Sequence, residues 1–226
     1  YTTDRIYTGD PWIRGASGVT SHVVEEGCPV GQFFMLECTG IKDGKYIITD
    51  LNGDGEISDD DRTYVGDAQP DLTFGWQNNF TWKNWDFSFF FRGTIGNKVL
   101  NNPRAAYANN TYLIGTNALD DELTYTMKES SRVCSYYLEN GSFIRLDNLA
   151  LGYTFDTKKI NWLDKARLYF AAQNLFVITG YKGLDPEVEL FRGESSDTDA
   201  GLSPGIEPRQ FFPKARTFTL GVNLTF

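Results

Sequence analysis

One histidine, three cysteines and two methionines are all that 226 residues contain of these types, and the scarcity removes whole classes of chemistry. His22 alone cannot build a histidine-based metal cluster, and a Ser-His-Asp triad would have a single possible base. Its polar, glycine-rich neighbourhood places it in a surface loop. Cys28, Cys38 and Cys134 form no C-x-x-C pair, which argues against a zinc ribbon or a thioredoxin-like site. Cys28 and Cys38 are close enough in sequence to bridge in an oxidising compartment, with buried free thiols as the alternative. Basic residues are outnumbered 21 to 30 by acidic ones, for a formal net charge of −9, so nucleic acid is not an expected partner. No run of 18 apolar residues occurs, which excludes a transmembrane helix. The polar residues after Tyr1 do not read as a secretory leader.

What the chain does have is aromatic residues, 15% of the total, and a strict period-2 pattern. In "RTFTLGVNLTF" (216–226), Phe218, Leu220, Val222, Leu224 and Phe226 share one face. Thr217, Thr219, Gly221, Asn223 and Thr225 share the other. Such a segment is a β-strand with one apolar and one polar face, and its length suffices to cross a bilayer at a tilt. The pattern recurs upstream. Leu72, Phe74, Trp76, Phe80 and Trp82 alternate with polar residues, and after Lys83-Asn84 so do Phe87, Phe89, Phe91 and Ile95, which predicts a hairpin. Leu149, Leu151, Tyr153 and Phe155 form a fourth strand. The 166–179 segment, with Leu168, Phe170, Phe176 and Ile178 on one face, forms a fifth.

The connections between these strands alternate in length: 83–84 is short, 97–142 long, 156–165 short and 180–215 long. Short turns at one end and long loops at the other fit a transmembrane barrel, whereas a soluble sandwich spaces its turns more evenly. Trp76, Trp82, Trp85, Tyr153 and Phe226 suit interfacial girdles. Five strands cannot close a membrane barrel, because an open edge in lipid leaves backbone groups unpaired. The expectation is therefore an all-β chain, the C-terminal strands of a larger transmembrane antiparallel barrel. With the C-terminus periplasmic, five crossings place residues 1–70 outside the cell, with "QFFMLECTGI" (32–41) as a strand or hairpin there.

The stretch "DLNGDGEISDDD" (50–61) has the spacing of a calcium loop. Asp50, Asn52 and Asp54 fall at positions 1, 3 and 5, and Gly55 at the sharp turn. Glu56 would offer its backbone carbonyl, Ser58 a water-mediated contact, and Asp61 the closing carboxylate. Hard oxygen donors at this spacing suit calcium better than magnesium, and Asp61 in place of glutamate predicts weaker binding. The flanks "GKYIIT" and "RTYVGDAQPD" are not amphipathic helices, which argues against a calcium-switched regulator. A metal-free acidic turn is the alternative to a structural calcium that stiffens the loop.

Other candidates are weaker. Phe191–Asp197 has no G-x-S-x-G elbow. Asp185 and Glu187 could be posed as paired glycosidase carboxylates, but beside Pro186 they read as loop acids. Tyr107, Tyr112, Tyr136 and Tyr137 could stack on sugar rings or pack within their own loop. Arg92 and Arg145 are expected to face the lumen or the loop base. No enzymatic activity is expected.

"PVGQFFMLECTGI" (29–41), "DLNGDGEISDDDR" (50–62), "PDLTFGWQNNFTWKNWDFSFFFRGTIGN" (70–97), "GSFIRLDNLALGYTF" (141–155), "ARLYFAAQNLFVITGYKGLDPEV" (166–188) and "RTFTLGVNLTF" (216–226) together resemble the closing part of SusC/RagA-type TonB-dependent outer-membrane transporters. The resemblance runs in order from about residue 29 to Phe226 and leaves 1–28 unmatched. It implies a barrel of about 22 strands with a plugged lumen. It further implies a SusD-like surface lipoprotein over the mouth, energy relayed by TonB, and import of glycans or peptides. The plug and the TonB-contacting segment have no match here, so they are expected in the remainder of a longer protein. The resulting division is an extracellular segment at 1–70 carrying the calcium-type loop, and barrel strands at 71–226 with long extracellular loops at 97–142 and 180–215. A secreted, calcium-stabilised β-sandwich binding carbohydrate or an adhesin partner is the competing reading.

Overall fold

A computed structural model of the chain describes residues 5–8, 20–109, 117–158, 160, 162–188, 202–209 and 212–226. The chain divides into two compact units. The first comprises Tyr1–Asp71, Gly96–Gly141 and Tyr181–Phe212, and the second Leu72–Ile95, Ser142–Gly180 and Pro213–Phe226. Both long connections thus cluster with the first 71 residues rather than forming separate excursions.

The first unit is built from short strands: β1 (Ile6–Thr8), β2 (His22–Val24), β3 (Gln32–Leu36), β4 (Cys38–Lys42), β5 (Lys45–Ile48) and β6 (Arg62–Asp67). Strands β1-β2-β3-β6 form one antiparallel sheet. Strands β4 and β5 form a separate hairpin, turned by Asp43 (φ 54°) and Gly44 (φ 81°), the two positive-φ residues that a tight hairpin turn requires. The stretch 32–41 is therefore not one strand or one hairpin: the chain breaks at Glu37, and its halves join different sheets.

The second unit holds the long strands, β7 (Leu72–Trp82), β8 (Trp85–Ile95), β11 (Phe143–Phe155), β12 (Lys165–Thr179) and β13 (Thr217–Thr225). Between them in sequence, and in the first unit, lie β9 (Lys98–Leu100), α1 (Asn102–Tyr107), α2 (Glu122–Thr126) and β10 (Leu138–Asn140). Asn101 caps α1 by accepting from the Arg104 amide (3.0 Å), and Asp121 caps α2 by accepting from Leu123 (2.9 Å). Phe33, Met35, Leu100, Ala105, Ala108, Leu123, Met127, Val133, Cys134 and Tyr137 make a buried core in this first unit, each large side chain worth about 1.5–3 kcal/mol of burial.

In the second unit the five strands form a single antiparallel sheet, ordered β13-β12-β11-β8-β7. Register places Trp76 opposite Phe91 and Phe80 opposite Phe87. It likewise sets Phe89 against Leu149, Leu151 against Phe170 and Phe170 against Leu220. One face is therefore continuously apolar, and it is uncovered within this unit: Phe218, Leu220 and Val222 are 60%, 74% and 61% exposed. The other face carries threonine, asparagine, glutamine and ion pairs. Tyr169 there lies over Gly221, where an added Cβ would come within 2.4 Å of its ring, so the aromatic ring covers backbone that the glycine leaves bare.

The predicted strand at 149–155 begins six residues earlier, at Phe143. Register slips between Leu146 and Asn148 against both neighbours, so Asp147 is a bulge residue that breaks the alternation. Trp76 is another correction: it packs against Phe89 and Phe91 in mid-strand rather than at a girdle. Trp82, Trp85, Tyr153 and Phe226 do sit at the short-turn end, with Trp85 4.8 Å from Tyr153 and Phe226 stacked on Trp162 at 5.8 Å.

Candidate functional site

The 50–61 loop lies between β5 and β6 and ends in a single 3-10 turn, Asp59–Asp61. No helix flanks it, so it has no helix pair to open. Its fold is set by carboxylates that accept from backbone amides. Asp50 accepts from Gly53 (2.7 Å) and Gly55 (2.9 Å), and both glycines have the positive φ that this reversal needs. Asn52 accepts from the Asp54 amide (2.9 Å) and donates its Nδ2 to Asp54 Oδ2 (2.8 Å). Asp54 Oδ1 accepts from Glu56 (2.8 Å).

Asp61 closes the loop and is fully buried. Its Oδ2 accepts from Ser58 (2.8 Å) and its Oδ1 from Leu51 (2.8 Å) and Asn52 (3.4 Å). The Ser58 bond, with those from Leu51 and Asn52 behind it, holds the carboxyl below the usual aspartate range against the opposing effect of burial. Ser58 in turn caps the 3-10 turn, its Oγ accepting from Asp60 (3.2 Å).

This arrangement fits a hard cation in one respect and lacks another. Each carboxylate oxygen that accepts one N–H keeps a second lone pair, so the backbone orients Asp50 and Asp54 without consuming them, whereas Asp61 Oδ1 accepts two N–H groups and leaves Oδ2 as the freer donor. Among the described residues, however, no three His, Cys, Asp or Glu side chains gather closely enough to hold a metal by themselves. The set is complete only with the Asn52 amide oxygen and the Glu56 carbonyl included.

A second polar constellation lies on the inner face of the five-stranded sheet, and sequence reading missed its cause. The Asp147 bulge sits beside Asn174, whose φ of 55° marks a second irregularity. Together they turn Arg92, Asp147, Asn148, Gln173 and Asn174 toward a cavity of about 410 Å³ that Lys214 and Ala215 also line. Arg92 pairs with Asp147 at 3.3 Å. Arg145, expected to face the lumen or the loop base, is buried and donates to Asn174 Oδ1.

The remaining candidates have structural roles. Tyr137 is buried, its hydroxyl 2.5 Å from that of Tyr46. Tyr136 packs edge-on against both rings under the Arg104 guanidinium. Tyr112 and Phe191–Asp197 lie outside the described residues. Asp185 is buried and accepts from the Glu187 amide (2.9 Å), as a turn acid does.

His22 is not in a surface loop. It is fully buried in β2, 4.2 Å from the Phe33 ring, with Nε2 2.9 Å from the Pro204 carbonyl and Nδ1 2.9 Å from Ser21 Oγ. Nε2–H donates to the Pro204 carbonyl; burial pushes the pKa down to about 4, so the imidazole is neutral and Nδ1 accepts from the Ser21 hydroxyl. Glu207, also fully buried, accepts from Tyr181 (2.5 Å) and the Leu184 amide (3.0 Å). No local signal marks either residue, because their partners come from distant segments.

A sheet of strands long enough to cross a bilayer, apolar on one face and polar on the other, defines a segment of membrane β-barrel wall. No protein-family model matches the chain, but individual proteins do. It is 32% identical over 91% of its length to TonB-dependent receptor P3 of Formosa agariphila, covering 23% of that protein. It is 29% identical over 98% of its length to TonB-dependent receptor SusC of Bacteroides thetaiotaomicron, covering 22% of it. A chain in the structure of the RagAB peptide transporter superposes with a TM-score of 0.75 at 23% identity, over 98% of this chain and 24% of that one. The chain thus spans less than a quarter of each. The resemblance to SusC/RagA-type transporters stands: this chain is related to TonB-dependent receptors and has the fold of part of such a barrel.

Proposed function

We propose that this chain is the C-terminal barrel portion of a TonB-dependent outer-membrane importer, working with a SusD-like surface lipoprotein to take up glycans or peptides. The observation that carries this reading is the inverted polarity of the five-stranded sheet. Its apolar face is exposed from Trp82 to Phe226 while its polar face gathers ion pairs and amides. Lipid stabilises such a face and water does not. A secreted sandwich would cover it with a second sheet, and none does so within this unit. The similarity to SusC and to a peptide transporter supports import by the whole protein. TonB contact and the plug fall to the rest of that protein. In this reading the first unit lies outside the cell, where Asp50, Asn52, Asp54, Glu56 and Asp61 hold a structural calcium that neutralises clustered carboxylates.

The test is fractionation and uptake by the full-length protein. It is expected in the outer membrane, extractable only with detergent, and co-purifying with a surface lipoprotein whose deletion stops uptake. Recovery as a soluble monomer would sink the proposal. For calcium, hydrogen exchange across residues 50–61 is expected to slow on adding the ion to chelator-treated transporter. An Asp54→Asn variant should lose that response, and an unchanged exchange rate in the wild type removes calcium from the account.

A further inference from the structure

We infer that Cys38 and Cys134 are a paired modification site in which a disulfide oxidant installs a covalent cross-link between β4 and the segment preceding β10. The two residues are distant in sequence but adjacent in the first unit. Cys134 is wholly buried in the hydrophobic core and Cys38 packs against that core from its edge. A parallel bridge joins Leu36 to Cys134. The Cys38 amide donates to Ser135 Oγ (2.8 Å), and the same hydroxyl reaches back to the Cys38 carbonyl (3.5 Å). These contacts fix the two backbones side by side, and the Cys38 thiol donates to the Gly40 carbonyl (3.2 Å) at the edge of the core that holds Cys134. Cys28, the partner that sequence proximity favours for Cys38, instead neighbours Tyr64.

The two thiols differ in a way that suits exchange. The neighbouring Cys134 side chain lowers the partly exposed Cys38 to about 7, while Cys38 and burial push Cys134 up. The Cys38 thiolate attacks one sulfur of the oxidant's disulfide, expelling a thiolate and leaving a mixed disulfide. Cys134 then gives up its proton and attacks the Cys38 sulfur, expelling the second thiolate. Two protein thiols have lost two electrons and two protons, and one oxidant disulfide has become two thiols. In the cell this rests on the surface location proposed above, since oxidising compartments preserve such bonds; the geometry does not.

The experiment uses full-length transporter purified without reductant and alkylated at lysis. Peptide mapping is expected to give a linked Cys38–Cys134 pair with Cys28 alkylated, and all three alkylated after reduction. Reduction should also lower the melting temperature of the wild type and leave a Cys38→Ser variant unchanged. That variant keeps the buried Cys134, so it separates loss of the link from loss of the core. Purified protein treated with oxidised glutathione tests the geometry apart from location. Failure to link there, a link through Cys28, or isolation from cells with both thiols alkylated overturns the proposal. Fractionation judges the location separately.

Discussion

The two units solve opposite solvent problems with the same twenty side chains. In the first, Phe33, Met35 and Tyr137 are buried at the centre and charge is paired outside it, as Arg104 is with Asp121 (2.8 Å) and Glu139 (3.4 Å). In the second, phenylalanine and leucine point outward, and Arg167 and Asp86 face in (Nε to Oδ1, 3.0 Å). Compaction around apolar residues holds the first unit together. The second depends on hydrogen-bonded strands and on what surrounds them. A substitution at an apolar residue should therefore carry a different penalty in each.

The largest expected effect is Phe33→Ala, which empties part of a sealed core and costs about 3–5 kcal/mol. Limited proteolysis should show the first unit opening while the long strands stay protected. Next is a pair of neighbours on β13. Leu220→Arg sets a charge in lipid and costs about 2–4 kcal/mol at mid-membrane, which reduces the yield of heat-resistant folded barrel. Thr219→Arg, one residue away on the polar face, should leave that yield nearly unchanged. Equal effects at both positions would abolish the contrast.

Acid discriminates the units further. His22 is neutral in the fold down to about pH 4 and protonates near 6.5 when unfolded. Between those values the unfolded chain binds more protons, so stability falls as pH drops from 6.5 to 4 and is constant below. The loss reaches about 3 kcal/mol and is confined to the first unit. Glu207, pushed up by burial, works in the opposite sense. The measurement is therefore the difference between wild type and His22→Gln, followed by hydrogen exchange across this window.

These contrasts also explain what could be read in the sequence. Strands β7, β8, β12 and β13 announce themselves because apolar and polar residues alternate along much of each, over elements nine or more residues long. The first half of β11 does not, since the extra residue Asp147 reverses the phase that alternation depends on. The first unit was nearly illegible: its strands are three to six residues long, too short for a periodic signal. Its stabilising contacts, His22 to Pro204 and Glu207 to Tyr181, span distant segments. The 50–61 loop was legible as a tight turn because the residues whose side chains bond its backbone are contiguous.

The smallest predicted effect tests the inner face. Asp86 and Arg167 are directly bonded, yet their side chains remain 40% and 27% exposed. If that face lines a wet interior, water screens the pair and a double-mutant cycle with Asp86→Asn and Arg167→Gln should give a coupling below about 1 kcal/mol. In a dry interior, breaking the pair by removing one partner would cost about 3–5 kcal/mol, because a buried charge would be left alone. A coupling of that size would mean that protein, not water, covers this face, and the polar cavity around Arg92 and Asp147 would then be a packing site rather than part of a hydrated path. A small coupling keeps the inverted sheet as drawn: lipid outside, water within.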